Sequence, residues 1–204
     1  MPLSIPHPVR DEFPLTPDPT HSLPKGKSVS DEQHELRRLV HASCAGDREA
    51  FAGLYQRFFP MVHGIVLSRV PHSDVDDLTQ EVFLQAWRQL PSLREVMAFG
   101  AWLAQIARRR CADHLRRTRH GESLPPSLAL EPRDEQSWFL LNTIRRLPAA
   151  YRETLILRFV EGLTGPEIAA LSGLTPDSVR VNLHRGVKLL RNQLKGGPSH
   201  ASGT

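Results

Sequence analysis

Cysteine is nearly absent: 204 residues hold only Cys44 and Cys111, too few for a disulfide framework. Aromatic side chains make up 6% of the chain, so large packed cores must come from aliphatic residues. No apolar run approaches the ~18 residues that cross a bilayer, which excludes membrane insertion by a helix. The first residues lack the basic, apolar and small-residue sections of a secretion signal, and a soluble cytosolic protein is expected. No nucleophile elbow, phosphate-cradling glycine loop, zinc-protease motif, internal repeat or strand-period segment stands out, so nothing favours an enzyme or a β architecture. Charge of one sign is also scarce, because 26 basic residues against 22 acidic ones leave a net +4. The distribution of charge therefore carries more than its total.

Hydrophobic residues, at 40%, are sufficient for one or two small helical cores. Residues 1–30 hold seven prolines and few large apolar groups, which reads as a disordered tail. Helical patterning starts near Ser30-Asp31, a potential cap, and runs through Leu36, Leu39 and Val40. After Asp47, Phe51, Leu54, Tyr55, Phe58, Val62, Ile65 and Val66 recur at steps of three and four, with Pro60 predicting a kink or a break. Ser73 or Asp74 can cap a third helix, whose apolar stripe is Val75, Leu78, Val82 and Ala86, widened by Phe83, Trp87 and Leu90. Beyond a loop at 91–94, Phe99, Trp102, Leu103, Ile106, Ala107, Cys111 and Leu115 continue the helical period. Residues 120–134, with three prolines, read as a flexible linker. Trp138, Leu141, Ile144 and Leu147 then open a second helical unit spanning 135–195, Pro148 starts its next helix, and 196–204 is a second disordered tail. The fold class expected is all-α, with two small helical domains at 31–119 and 135–195.

Three stretches could carry function. The stretch from Glu161 to Leu190 has helix-turn-helix spacing. Ala169 is small where helices must approach, Gly173 can take positive φ at the turn, and Val179 packs the second helix on the first. Thr175 can cap that helix, with Pro176 at its first position and Asp177 in its first turn. Arg180, Asn182, His184, Arg185, Lys188 and Arg191 supply donors, leaving Val179, Leu183, Leu189 and Val187 for packing. The second stretch is acidic: Asp77, Gln80, Glu81 and Leu84 lie on one face of a helix, opposite Leu78 and Val82. A docking surface, a magnesium site formed with Asp74 and Asp76, and a solvated helix start all fit that run. The third places six arginines between Arg108 and Arg119 against one acid, Asp113, a pattern suited to phosphate backbones. Phe99 and Trp102 could stack on bases but fit a core better. Cys111 with His114, and His41 with Cys44, have spacing that zinc could use, although buried cysteine is a common apolar filler.

The order of these parts resembles a bacterial RNA polymerase sigma factor, specifically the extracytoplasmic-function branch of the sigma-70-like family. Four segments carry the resemblance. They are Asp76-Asp77-Leu78-Thr79-Gln80-Glu81-Val82-Phe83, Ala101-Trp102-Leu103-Ala104-Gln105-Ile106-Ala107-Arg108, Leu147-Pro148-Ala149-Ala150-Tyr151-Arg152 and Glu167-Ile168-Ala169. The match runs from about Asp47 to Leu194. It implies a non-enzymatic transcription initiation factor without cofactors or a metal, built from a region 2 bundle and a region 4 helix-turn-helix. Asp77, Gln80, Glu81 and Leu84 would face the clamp helices of the largest subunit of core RNA polymerase. Arg108, Arg109, Arg110, His114, Arg116 and Arg117, with the loop from Leu90 to Met97, would capture and melt the minus-10 element of promoter DNA. Ser178, Arg180, Asn182, His184, Arg185 and Lys188 would read the minus-35 element, and an anti-sigma factor is a further partner. The family often has Ala-Arg-Asn where this chain has Ala107-Arg108-Arg109, threonine at Ser178, alanine at Gly186 and a basic residue at Val187. A conventional helix-turn-helix regulator, independent of polymerase, is the alternative in another class, and an Asp-rich magnesium enzyme a third.

Overall fold

The computed structural model describes residues 29–119 and 135–195, and the expected tails and linker otherwise lie outside them. Among the described residues regular structure is helical throughout, as the two interleaved helical periods predict. The N-terminal bundle consists of α1 (Val29–Cys44), α2 (Arg48–Leu67), α3 (Val75–Gln89) and α4 (Phe99–Arg119). α5 (Glu135–Arg145), α6 (Ala149–Phe159), α7 (Gly165–Ser172) and α8 (Pro176–Lys195) form the C-terminal unit. α1 opens at Val29, so Ser30 and Asp31 lie in its first turn rather than ahead of it.

Asp47 caps α2, its carboxylate accepting from the Glu49 and Ala50 amides at 2.9 and 3.0 Å, which satisfies amides that a helix start leaves without partners. The expected break at Pro60 does not occur; α2 is one helix with Pro60 inside it. An internal proline costs about 3 kcal/mol, and burial of Phe58, Met61, Val62 and Ile65 on either side of it offsets that cost. The α3 stripe of Val75, Leu78, Val82 and Ala86 is buried as its period requires, with Phe83 and Leu90. Asp74 occupies the position before α3 but caps nothing with its side chain. Its carboxylate instead meets His114 Nε2 at 2.9 Å, and Ser73 donates to it at 2.7 Å.

In the C-terminal unit Thr164 and Glu167 form a capping box at the start of α7, the Thr164 amide donating to Glu167 at 2.7 Å. Gly173 ends α7 with φ +74°, the left-handed turn its position demands. The Thr175 hydroxyl then accepts from the Ser178 amide at 3.1 Å, and Val179 is buried as expected. Leu189 is exposed and its neighbour Leu190 is buried instead. One residue is 100° of helix, and position 190 continues the inward line from Val179, Leu183 and Gly186.

The halves are not separate in this structure. Ile144, Leu147, Leu155 and Ile156 join the same apolar cluster as Phe58, Ile65, Leu103 and Ala107. A smaller cluster of Leu157, Ile168 and Val179 lies under the helix-turn-helix.

Candidate nucleic-acid interface

α3 packs on α2 and α4, leaving Asp77, Gln80, Glu81 and Leu84 exposed together on its outer face. Leu84 is 56% exposed, an apolar side chain among carboxylates. It borders a groove lined by Phe51, Tyr55, Phe83 and Trp87, where Phe51 meets the Trp87 ring edge-on at 4.8 Å. The groove's polar lining is Arg48 and Gln80, and an apolar centre beside the exposed Asp77 and Glu81 carboxylates is the anatomy of a protein-docking surface.

α4 divides the basic run among three directions. Arg110 and His114, four residues apart, turn toward α3, where Arg110 pairs with Glu81 and His114 with Asp74. Arg109, Arg116 and Arg117 are exposed, Arg116 pairing with Asp113 one turn back. Arg108 points toward the C-terminal unit. Its Nη2 donates to Glu153 at 2.7 Å and to the Ser172 carbonyl at 3.2 Å. The six residues nominated for minus-10 DNA therefore share a helix without sharing a face. Phe99 is fully buried and Trp102 half-buried, which places both in the core. Leu90–Ser92 and Val96–Ala98 form short 3-10 turns before α4, and Met97 is exposed there.

α8 carries Ser178, Arg180, His184, Arg185 and Lys188 exposed. Arg180 reaches back to Asp177 at 3.0 Å, and Ser178 Oγ accepts from Thr175 Oγ1 at 2.7 Å. Asn182 lies on the inner flank, half-buried, its Nδ2 3.5 Å from Thr154 Oγ1 on α6. Gly186 is buried with no room to spare, since a Cβ there would stand 3.1 Å from Leu155 and 3.3 Å from Tyr151.

The residues that sequence reasoning missed sit between the halves. Glu153, on α6, is 5% exposed and accepts from Arg69 at 2.5 Å as well as from Arg108. Burial pushes its carboxyl pKa up, but the hydrogen bonds and charge of Arg108 and Arg69 outweigh that and hold it below the usual carboxylate range. Arg152 stands close by, its pKa lowered by burial and then by Arg69. His63 on α2 meets Glu161 at 2.7 Å, and Arg145 donates to the Val70 carbonyl. A charged residue at an apolar-flanked helix position was the available signal for Glu153; its partners, 84 and 45 residues away, leave none. Among the described residues no three His, Cys, Asp or Glu side chains converge to hold a metal ion.

The profile of sigma-70 region 2 matches residues 54–121 and that of sigma-70 region 4 matches residues 140–190. The ECF RNA polymerase sigma factor BldN of Streptomyces coelicolor is 32% identical over 183 residues, covering 82% of this chain and 69% of that protein. CarQ, an RNA polymerase sigma factor of Myxococcus xanthus, is 32% identical and is covered over 91% of its length, using 73% of this chain. The chain belongs to the sigma-70 family, in its extracytoplasmic-function branch. Among solved structures CnrH, in complex with the cytosolic domain of CnrY, aligns at TM-score 0.57 with 25% identity, over 80% of this chain and 99% of that one. This sigma factor is thus a promoter-directing transcription initiation factor that works with core RNA polymerase and promoter DNA. Region 2 begins within α2 and ends with α4; region 4 spans α5 to α8. A regulator independent of polymerase has no need of the region 2 bundle. No helix among the described residues is long and apolar enough to cross a membrane.

Proposed function

We propose that this sigma factor docks on the clamp helices of core RNA polymerase through the α3 face of Asp77, Gln80, Glu81 and Leu84. Residues 31–119 form the unit that does so, and residues 135–195 the unit that reads the minus-35 element. The observation that carries this reading is the exposed Leu84 inside an acidic stripe beside an aromatic groove, on a helix whose opposite side is fully used in the core. Arg109 and Arg117 present exposed guanidinium groups for the minus-10 strand, and Arg108, Arg110, His114 and Arg116 become available as their carboxylate partners are displaced. On α8, Arg180, His184, Arg185 and Lys188 face the major groove, with Ser178 at the helix start, while Asn182 braces α8 on α6. The chain supplies binding energy for strand capture and performs no covalent chemistry, acting in the cytoplasm where the polymerase is. A protein that holds it in reserve, an anti-sigma factor, is proposed from the likeness to CnrH, which was solved bound to the cytosolic domain of CnrY.

Reconstituted transcription on genomic fragments tests this. The protein with core polymerase is expected to initiate at a discrete set of start sites, and the protein alone to shift none of those fragments tightly. Tight sequence-specific binding without core would overturn the docking role and favour the conventional regulator.

A further inference from the structure

Four guanidiniums, from Arg69, Arg108, Arg145 and Arg152, gather near one carboxylate, that of Glu153. Glu153 on α6 accepts from Arg69, just past the end of α2, at 2.5 Å and from Arg108 on α4 at 2.7 Å. Arg152, next to Glu153 in the chain, is bound to a carbonyl instead of an acid, its Nη1 donating to the Arg145 main chain at 2.8 Å. Arg145 in turn donates to the Val70 carbonyl, next to Arg69 in the chain. The Nε–H groups of Arg69 and Arg152 are both buried without a hydrogen-bond partner. Folded proteins leave few buried donors unanswered, and two in one cluster call for an acceptor that the described residues do not supply. Mutual repulsion is felt as well: burial and then Arg69 lower the Arg152 pKa, and burial and then Arg152 lower that of Arg145.

We propose that this cluster is a binding site for a small phosphate-class oxyanion, gripped by Arg69 and Arg152 beside Glu153, with Arg108 and Arg145 adding positive charge. A guanidinium holds two oxygens of such an anion through the edge formed by Nε and one Nη. Arg152 spends Nη1 on the Arg145 carbonyl, and its Nε–Nη2 edge has no partner among the described residues. All four arginines are half-buried, so an anion among them is partly withdrawn from water and its ion pairs gain strength. The unanswered Nε–H donors themselves lie out of solvent, which favours a ligand of a few atoms over a nucleic-acid strand. A phosphate dianion also supplies the charge and the several acceptor oxygens that one carboxylate cannot spread over four guanidiniums. Arg69, Arg145 and Arg152 lie outside the α3 docking face and outside the residues nominated for DNA, and only Arg108 is shared with the minus-10 set. The site therefore does not rest on either of those readings. Its donors come from region 2 and region 4 together, so a bound anion ties α2 to α6 and gives this sigma factor a small-molecule input.

Isothermal titration of the full-length chain with inorganic phosphate and with pyrophosphate, at constant ionic strength so that general screening is equal, tests the site. Saturable binding to a single site is expected, with a thermal midpoint that rises with ligand concentration above the Kd. Arg69→Gln and Arg152→Gln each remove one guanidinium and are expected to weaken binding about tenfold or more. Arg152→Lys keeps the charge but loses the planar fork, and its affinity is expected to fall between that of the parent and that of Arg152→Gln. Glu153→Gln removes the competing carboxylate and is expected to tighten binding, a gain that damage to the fold does not produce. Arg117→Gln removes an exposed cation of the α4 run and is expected to leave pyrophosphate affinity unchanged. Circular dichroism checks helix content throughout, and if either glutamine variant at an arginine unfolds, Arg152→Lys and Glu153→Gln decide. Absence of saturable binding to the parent would overturn the site. So would equal affinity across the folded variants, which would mean an adventitious ion only, or a loss confined to Arg117→Gln, which would move the anion to the exposed run of α4.

Discussion

Gly173→Ala is the sharpest single test of the closed arrangement, because two separable penalties meet at one methyl group. The residue sits at φ +74°, where a Cβ costs about 1–2 kcal/mol in any setting. That cost belongs to the helix-turn-helix alone. The new methyl would also stand 2.7 Å from the Ala101 Cβ and 3.3 Å from its Cα. Forcing a methyl into a fitted contact costs about 1–3 kcal/mol more, and this part belongs to the interface between regions 2 and 4. The single variant is therefore expected to lose about 2–5 kcal/mol in urea unfolding of the full chain. Ala101→Gly alone loses about 1 kcal/mol or less of helix propensity near the start of α4. The double variant removes the methyl-to-methyl clash and keeps the turn strain, so it is expected to be more stable than the sum of the singles by about 1–3 kcal/mol. Additivity of the four proteins within about 0.5 kcal/mol would refute contact between Gly173 and Ala101 in solution.

Glu81→Arg places a cation beside Arg110 on the exposed face of α3 and is expected to abolish co-elution with core polymerase at unchanged helix content; retained co-elution would move the docking surface elsewhere. Leu84→Asp is expected to act likewise, since it removes the apolar centre of that face without altering the core. Arg185→Ala should weaken promoter use by about 1–3 kcal/mol if the guanidinium reads a base, with the loss concentrated at one minus-35 position; a loss equal across promoter variants would assign it to phosphate. The His63 pKa is raised from 6.5 by its hydrogen bond to Glu161, which outweighs burial. Its stabilising effect is accordingly full below about 6.5 and is lost as pH rises through the folded-state value. Unfolding midpoints measured across that range should fall less steeply in His63→Gln than in the parent, and parallel curves would exclude the pair.

The helices, the cap at Thr175 and the positive φ at Gly173 were legible because each depends on residues a few positions apart, whereas the caps read at Ser30-Asp31 and Ser73-Asp74 did not form. Pro60 and Leu189 show where that locality fails. A proline is a local cost, and whether a helix survives it depends on the burial that its flanks obtain from elements distant in sequence. The outward turn of Leu189 depends on a one-residue phase that the adjacent leucines at 189 and 190 leave open. The arginine run shows the same limit in the candidate site. Composition correctly gathers six cations on α4, but only packing decides that Arg110 is answered from α3, His114 from the turn before α3 and Arg108 from α6.

Glu153 is the case in which locality misleads about function as well as structure. By itself it is one acid on a short helix, of a type that usually faces water, and only the apolar residues a helical turn to either side mark its position for burial. Its significance comes from Arg69 and Arg108, whose own positions are fixed by α2 and α4. The sequence that gathers cations on α4 thus also contains what answers one of them, but at a separation of 45 residues that no helical period connects. The departure at Arg109 gains meaning from the same geometry. With Arg108 engaged by Glu153 and Arg110 by Glu81, Arg109 is the member of the triplet that remains exposed. A cation there, where the family often has an amide, leaves one exposed guanidinium on α4 while those of its two neighbours are held by carboxylates.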